Sequence, residues 1–261
     1  MFDRVIGIIP AHLESIRMPR KPLRPICGIP MIAWVYHRAR RSHELSQLLV
    51  ATDSKEIFAY CRENGIEATM TSTRHRSGTE RVLEVMAQQS SAGRATSLFV
   101  NIQGDEPMVT PEHIALLVRP FREDPSTCVS TLKVAISAGQ AQDPNNVKVV
   151  TDGQGRALYF SRAPIPLQRE GAGAAPYYKH LGLYAYSAAA LGKFQSFPPS
   201  TLEQTERLEQ LRFLENGIPI TVVETSGDTI GVDTEEDLNR VEEYFRRTGA
   251  TLSGDDRSRR R

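Results

Sequence analysis

Several features that would place the protein in a common functional class are missing from its sequence. The formal net charge is only +1, so no excess of positive charge predicts binding to a nucleic acid polymer. The apolar run at residues 5–9 is too short for the core of a signal sequence, and no stretch is long enough to cross a bilayer. The three cysteines, Cys27, Cys61 and Cys128, form no C-x-x-C pair and fit a reducing compartment. We therefore expect a cytoplasmic protein without membrane insertion.

The common phosphate-binding loops are absent as well. The chain contains no Walker A motif, and no G-x-G-x-x-G follows a predicted strand. What is present is a proline-rich loop after residues 5–9, where Pro10 is predicted to end the first strand. The loop carries Ser15, Arg17, Arg20 and Lys21. A rigid cationic loop at the carboxyl end of a parallel strand is typical of sites for phosphorylated ligands, so we expect nucleotide or polyphosphate binding without a P-loop.

Apolar runs alternate with amphipathic stretches, which predicts an α/β protein with a mainly parallel sheet. The predicted strands are residues 5–9, 48–52, 97–102, 129–134, 147–151, 181–186 and 220–224. The predicted helices are residues 31–41, 54–64, 79–89, 111–122, 187–195, 201–216 and 234–247. Residues 135–180 interrupt this alternation, and we interpret them as an irregular or β-rich excursion inserted in a single domain of residues 1–248. The arginine-rich tail, residues 249–261, is predicted to be disordered.

Two aspartates lie where a metal site could form. Asp105 follows the predicted strand of residues 97–102, after Gly104, and Asp233 precedes the last predicted helix. Carboxylates at such positions can hold Mg²⁺, which prefers oxygen ligands and bridges phosphates. The alternative is structural: Asp105 would cap the helix that begins near residue 111, and Asp233 or Thr234 would cap the last helix.

Further polar residues lie beside predicted elements and allow two interpretations each. Ser77 and Gly78 lead into a helix, where they could contact a base or phosphate, or Ser77 and Glu80 could form a capping box. Arg162, His180 and Tyr184 suit a polar anionic ligand, but taken in isolation a surface arginine and a hydrogen-bonded core histidine are the more common explanations for such residues. Glu203, Glu206 and Gln210 have the spacing i, i+3, i+7 and share one face of the predicted helix 201–216. They could contact a polar ligand, but this pattern is usually that of a solvated face.

Taken together, these segments resemble the CMP-Kdo synthetases, the 3-deoxy-manno-octulosonate cytidylyltransferases of lipopolysaccharide biosynthesis. The resemblance runs from residue 5 to about residue 244 and rests on residues 9–11, 15, 17, 19–23, 51–53, 77–81, 100–107, 144–145, 147–150, 157–162, 180–182, 209–212 and 231–234. It implies a three-layer α/β/α nucleotidyltransferase fold, Rossmann-like and of the nucleotide-diphospho-sugar transferase type. It also implies a homodimer.

The resemblance further implies a reaction in which the 2-hydroxyl of the sugar acid Kdo attacks CTP, giving CMP-Kdo and pyrophosphate. Asp105 and Asp233 would hold Mg²⁺, while Asp105, Lys21 and Arg17 would be the catalytic residues. The implied nucleotide-binding residues are Ala11, His12, Ser15, Arg17, Lys21, Ser77, Gly78 and Asp105. The implied residues for the small acidic sugar are Gln103, Arg162, His180, Tyr184, Glu209 and Gln210.

Five residues depart from the family pattern, and all flank the implied nucleotide site: His12, Arg20, Ser72, Arg74 and Arg76. His12 stands where the family usually has an arginine, and Arg20 stands where it has a glycine. Arg20 could supply the positive charge that is lost at position 12, provided that the backbone at position 20 does not require glycine. Two alternatives stay open. One is a paralogous cytidylyltransferase for 8-amino-Kdo, another acidic sugar or a phosphonate, and the other is a non-catalytic binding protein with a degenerate site.

Overall fold

The computed structural model describes residues 2–14, 18–75, 77–90, 97–169 and 175–252. The chain divides into two compact units, which we name the terminal unit, with residues 2–115 and 229–252, and the central unit, with residues 116–228. Strands and helices alternate along most of the terminal unit, as the sequence predicts, whereas the central unit contains three strands and then three helices in succession. No helix in these described ranges is long and apolar enough to span a bilayer.

In chain order the first elements are β1 (Arg4–Ala11), a 3-10 turn (Lys21–Leu23), β2 (Pro25–Ile26), β3 (Ile29–Pro30), α1 (Met31–Arg40), β4 (Gln47–Thr52), α2 (Lys55–Glu63), β5 (Ala68–Met70), α3 (Gly78–Ser90), β6 (Ser97–Asn101) and α4 (Pro111–Glu123). The chain continues with β7 (Val129–Ile136), α5 (Ala138–Ala141), β8 (Lys148–Thr151), β9 (Ala157–Ser161), β10 (Tyr177–Ser187), α6 (Ala188–Ser196), α7 (Thr201–Glu206), α8 (Leu211–Glu215), β11 (Ile220–Glu224) and α9 (Glu235–Thr248).

The main sheet strands of the terminal unit are parallel, with β1 between β6 and β4 and with β5 beyond β4. The short strands β2 and β3 form a separate antiparallel pair. The prediction that Pro10 ends the first strand is wrong, because Pro10 and Ala11 still pair with Ala51 and Thr52 of β4. The pairing of β1 with β6 stops at Ile8 opposite Asn101. Beyond that point β1 has a partner on one side only, so a proline without an N–H group is tolerated there.

A hydrophobic cluster in the terminal unit joins α9 to α1. The Trp34 and Phe245 rings lie 4.4 Å apart, and Trp34 Nε1 donates to the Ile26 carbonyl at 2.9 Å. Met18 and Val232 are fully buried in the same cluster. Because these two residues lie close in sequence to Lys21 and Asp233, the cluster fixes the start of the 3-10 turn relative to the start of α9.

The central unit carries a mixed set of strands. β7 pairs antiparallel with β10 and parallel with β11, while β8 pairs with β9 and β10. The excursion predicted at residues 135–180 is β-rich, since it contains β8, β9 and the start of β10. The sequence analysis did not predict β5, β9 or the short β2–β3 pair. β2, β3 and β5 have only two or three residues each, and packing selects such strands more than local pattern does.

The prediction of a single helix over residues 201–216 is wrong. Arg207 has φ of 54° and ends α7, and the chain turns before α8 begins. A hydrogen-bonded ion pair between Glu203 and Arg212, with Nε to Oε2 at 2.7 Å, joins the two short helices. Glu203 and Gln210 are each only 8% exposed, so they do not form a solvated face.

Candidate functional site

A pocket of about 400 Å³ lies in the terminal unit, at the carboxyl ends of its parallel strands. The residues that line it come from the ends of β1, β4 and β6 and from the loops that lead into the 3-10 turn, α3 and α9. They are Pro10, Ala11, His12, Glu14, Lys21, Pro22, Asp53, Thr73, His75, Ser77, Gly78, Arg81, Gln103, Gly104, Asp105 and Asp233.

Lys21 connects the two aspartates predicted to bind metal. Its Nζ donates to Asp105 Oδ2 at 2.6 Å and to Asp233 Oδ1 at 2.9 Å. The two acidic loops are also joined directly, because the Val232 N–H donates to the Asp105 carbonyl at 2.9 Å. Burial acts to lower the pKa of Lys21, but the two carboxylates outweigh this and raise that pKa above its ordinary value. Lys21 is therefore a fixed cation in the pocket wall.

The convergence of Asp105 and Asp233 on one cation allows a test of whether the residues fit Mg²⁺. Two carboxylates that already share an ammonium group can also face a divalent ion, which usually takes one or two carboxylates and completes its shell with phosphate and water. No cluster of three or more acidic, histidine or cysteine ligands occurs among the residues that the structure describes. The donor set therefore fits a cation that arrives with a phosphorylated ligand.

Two glycines allow the loops around the pocket to approach β1 closely. A Cβ atom on Gly104 would lie 2.7 Å from the Pro10 carbonyl oxygen, which real contacts do not permit. A Cβ atom on Gly78 would lie 3.2 Å from Pro10 Cγ, a tight contact. Gly104 is therefore required by its backbone neighbour and brings the chain before Asp105 against the end of β1.

The start of α3 is held by polar contacts. The Glu80 N–H donates to Ser77 Oγ at 3.3 Å, which is one of the two hydrogen bonds of the capping box that the sequence allows. Arg81 is buried and donates to Asp53 Oδ2 at 2.6 Å, which connects α3 to the end of β4. Ser77, Gly78, Ala11 and His12 all line the pocket, whereas Ser15, Arg17 and Arg76 lie outside the described residues.

Arg20 does not replace a charge in the pocket, because its guanidinium is paired with Glu56 on α2 and it is not among the lining residues. Its φ of 60° is in the left-handed region, so the backbone does adopt the conformation that glycine favours. Sequence analysis also missed Asp53, Thr73 and His75 as lining residues. The sequence did contain a signal for Asp53, because this acidic residue directly follows the strand β4. Asp105, which was predicted, likewise follows the strand β6.

Of the predicted sugar-acid residues, Gln103 lines the pocket and the others belong to the central unit. Arg162 donates from Nε to the Glu206 carbonyl at 2.9 Å and from Nη1 to the Pro144 carbonyl at 3.1 Å. Its backbone N–H donates to the Glu206 carboxylate at 3.0 Å. These bonds fix the guanidinium and leave Nη2 without a partner among the described residues.

His180 and Tyr184 lie among aromatic rings in the central unit. His180 Nε2 is 3.0 Å from Thr131 Oγ1, and its ring lies 5.0 Å from Phe160. Burial, with a smaller effect of Lys179, lowers the pKa of His180 to about 3, so the ring is neutral at neutral pH. Burial likewise raises the pKa of Tyr184 well above its ordinary value. Glu209 is half-buried and Gln210 buried, and their predicted role in binding the sugar acid stays a prediction.

Known proteins match this chain over most of its length. A family model described as cytidylyltransferase matches residues 6–225. A 3-deoxy-manno-octulosonate cytidylyltransferase of Acidobacterium capsulatum is 55% identical over 241 residues, 92% of this chain and 96% of that protein. One of Koribacter versatilis is 51% identical over 243 residues, 93% of this chain and 90% of that protein.

Solved structures agree with the sequence relatives. The structure of a CMP:2-keto-3-deoxy-manno-octonic acid synthetase complexed with CTP has a TM-score of 0.88 and 41% identity, covering 94% of this chain and 99% of that one. A glucose-1-phosphate thymidylyltransferase from Bacillus anthracis, described as putative, shares the fold alone, with a TM-score of 0.63 at 17% identity, over 93% of this chain and 95% of that one. The α/β nucleotidyltransferase fold predicted from the sequence is thereby confirmed, and the chain belongs to the cytidylyltransferase family.

Proposed function

We propose that this chain transfers the cytidylyl group of CTP to the sugar acid Kdo, giving CMP-Kdo and pyrophosphate for lipopolysaccharide biosynthesis. The observation that carries the proposal is the contact of Lys21 with both Asp105 and Asp233, three residues that line a pocket of about 400 Å³. Relatives that are 55% and 51% identical bear the name of this activity, which supports the choice of both substrates.

The proposed reaction is an in-line displacement at phosphorus. The 2-hydroxyl oxygen of the sugar acid forms a bond to the α-phosphorus of CTP and loses its proton to solvent. The bond from that phosphorus to the bridging oxygen breaks, and pyrophosphate leaves. Negative charge grows on the departing oxygen, so a fixed cation nearby stabilises the transition state. Lys21 provides such a cation, since its side chain is only 14% exposed and its pKa is raised by the carboxylates.

Asp105 and Asp233 would hold Mg²⁺ when the nucleotide binds, and the ion would supply divalent charge to the phosphate oxygens. On the resemblance to the family, we propose that the residues that bind the sugar acid are Gln103, Arg162, His180, Tyr184, Glu209 and Gln210. In that set Arg162 offers Nη2 to the substrate carboxylate, because carbonyl oxygens already accept from Nε and Nη1. We further propose a homodimer that works in the cytoplasm, on the resemblance to the family, and light scattering would test the dimer.

The test is pyrophosphate release by the purified chain with Mg²⁺ and Kdo, supplying CTP, UTP, ATP and GTP in separate reactions. Release with CTP and Kdo together, and not with either alone, is the expected result. Release with CTP and a different acid, but not with Kdo, would point to a paralogue. No release with any nucleotide and acid would overturn the proposal and leave a non-catalytic binding protein.

A further inference from the structure

The loop of residues 71–75 forms part of the pocket wall, and two oppositely charged side chains of α3 hold it in place. Arg81 Nη1 donates to Thr71 Oγ1 at 2.8 Å and to the Ser72 carbonyl at 3.2 Å. Glu84 Oε2 accepts from the Ser72 N–H at 2.8 Å and also contacts His75 Nε2. Positions 81 and 84 lie three residues apart on one face of α3, so this helix holds both the N–H group and the carbonyl group of Ser72.

Glu84 reaches the pocket only through this loop. It is not one of the lining residues, whereas His75 is. The His75 ring lies between two acidic side chains of α3, with Nε2 at Glu84 and Nδ1 3.7 Å from Glu80 Oε2. Because a carboxylate can only accept, the hydrogen at the Glu84 contact is on Nε2, and this sets the orientation of the ring.

The charge of Glu84 is kept by these contacts. Burial acts to raise the pKa of Glu84, but hydrogen bonds from Ser72 and His75 outweigh this, and the pKa lies below its ordinary value. Glu84 is therefore an anion at neutral pH, and a charged acceptor makes stronger hydrogen bonds than a neutral one. Its second oxygen accepts from Gln88 Nε2 at 3.3 Å, which keeps the carboxylate in one orientation.

We propose that Glu84 is a positioning residue of the nucleotide site, which holds His75 and the backbone at Ser72 in place and thereby sets the affinity and base preference for CTP. The proposal rests on the proposed function, because it takes the end of the pocket near Ser77 and Gly78 as the cytosine site. Bases differ in their hydrogen-bonding edges, so discrimination depends on how firmly the polar groups of the pocket wall are held.

The experiment measures CTP dissociation constants by calorimetry, and steady-state kinetics with CTP and UTP, for Glu84→Ala, Glu84→Gln, His75→Ala and the double variant. Glu84→Ala should raise KM and Kd for CTP about tenfold, as expected for loss of charged hydrogen bonds. At saturating CTP, kcat and the KM for Kdo should stay within about twofold of the wild-type values. The ratio of kcat/KM for CTP to kcat/KM for UTP should be smaller than in the wild type. Glu84→Gln keeps an acceptor oxygen and should weaken CTP binding only about threefold.

The double variant separates positioning from general stabilisation. If Glu84 acts mainly through His75, adding Glu84→Ala to His75→Ala should weaken CTP binding less than about threefold further. Glu63→Gln, at an exposed acid near the end of α2, is the matched control and should leave all constants unchanged. Melting temperatures identify any variant that does not fold, and Glu84→Gln then carries the comparison.

Two results would overturn the inference: unchanged Kd and KM for CTP in Glu84→Ala, or a lower kcat with an unchanged KM for CTP. Full multiplication of the two single effects would overturn the part of the inference that assigns the action of Glu84 to His75. Failure of the proposed function gives a different result from failure of the inference about Glu84. A wild-type chain that binds CTP without releasing pyrophosphate would contradict the function, while the dissociation constants would still decide the role of Glu84. A wild-type chain that binds no CTP would overturn both.

Discussion

Lys21 and Asp233 lie 212 residues apart in the chain, yet Lys21 Nζ donates to Asp233 Oδ1 at 2.9 Å. The same ammonium group reaches Asp105 Oδ2 at 2.6 Å, so one cation brings together acids from the loops after β6 and before α9. The chemistry proposed for the pocket depends on this arrangement.

Replacing either acid should abolish activity while the fold survives. Asp105→Asn and Asp233→Asn keep the shape of the side chain but remove the charge that would hold a divalent cation, so we expect pyrophosphate release to fall by at least about a hundredfold. Circular dichroism should be unchanged. Asp124→Asn, at an exposed acid of the central unit, is the control and should be fully active. Substantial turnover by either pocket variant would refute the metal assignment.

Lys21→Ala should mainly weaken the use of nucleotide, because it removes a fixed positive charge from the pocket. It also removes the ammonium group from between two carboxylates, which should then bind a divalent cation more readily without nucleotide. We expect KM for CTP to rise about tenfold or more, since a charged contact is lost. Electron paramagnetic resonance of Mn²⁺ should show tighter binding to the nucleotide-free variant than to the wild type. Unchanged KM and kcat would remove Lys21 from the site.

Gly104→Ala should destabilise the protein and reduce activity, because its Cβ atom would lie 2.7 Å from the Pro10 carbonyl oxygen. The backbone must shift to relieve this contact, at a cost of about 1–3 kcal/mol in the free energy of unfolding. Gly192→Ala is the matched control, since no atom lies within 4 Å of a Cβ there and α6 should gain about 1 kcal/mol. Urea denaturation of both variants measures the difference. Equal stabilities would contradict the close approach.

The left-handed backbone at Arg20 predicts an unusual order of stabilities. Arg20→Gly and Arg20→Ala both remove the ion pair with Glu56, but only glycine adopts a φ of 60° without strain. The glycine variant should therefore be more stable than the alanine variant by about 1 kcal/mol. Chemical denaturation of the two proteins gives this difference directly, and an alanine variant that is equally stable would argue against the left-handed conformation.

His180 should make stability depend on pH in mildly acidic solution. Its pKa is about 3 in the folded chain against 6.5 for an ordinary histidine, so the unfolded state binds the extra proton first as the pH falls. The stabilisation is fully present above pH 6.5 and is lost as the pH falls toward 3, with a slope of at most about 1.4 kcal/mol per pH unit. Urea denaturation at pH 7.5 and 5.5 should show a smaller pH effect in His180→Gln than in the wild type. An equal pH effect in both would contradict the burial of a neutral ring.

The sequence by itself determined the alternation of strands and helices, the position of most elements and the family. Periodic apolar runs specify buried strands such as β1 and β4 because burial acts on each residue separately. The sequence also identified Asp105, Asp233 and Lys21 as candidates, since acidic residues after a strand or before a helix, and a cationic loop after a strand, are visible without coordinates.

Only the tertiary structure decided how these candidates are used. The convergence of Lys21, Asp105 and Asp233 depends on packing between segments that are remote in sequence, and no local pattern encodes it. The same holds for the break at Arg207, where the chain leaves the helix and the ion pair of Glu203 with Arg212 joins the two short helices despite the helical preference of the segment. Pro10 remains in β1 because the pairing of β1 with β6 already ends at Ile8. This register between the two strands cannot be read from the proline itself. Local chemistry therefore fixed which residues could act, and long-range packing fixed which of them meet.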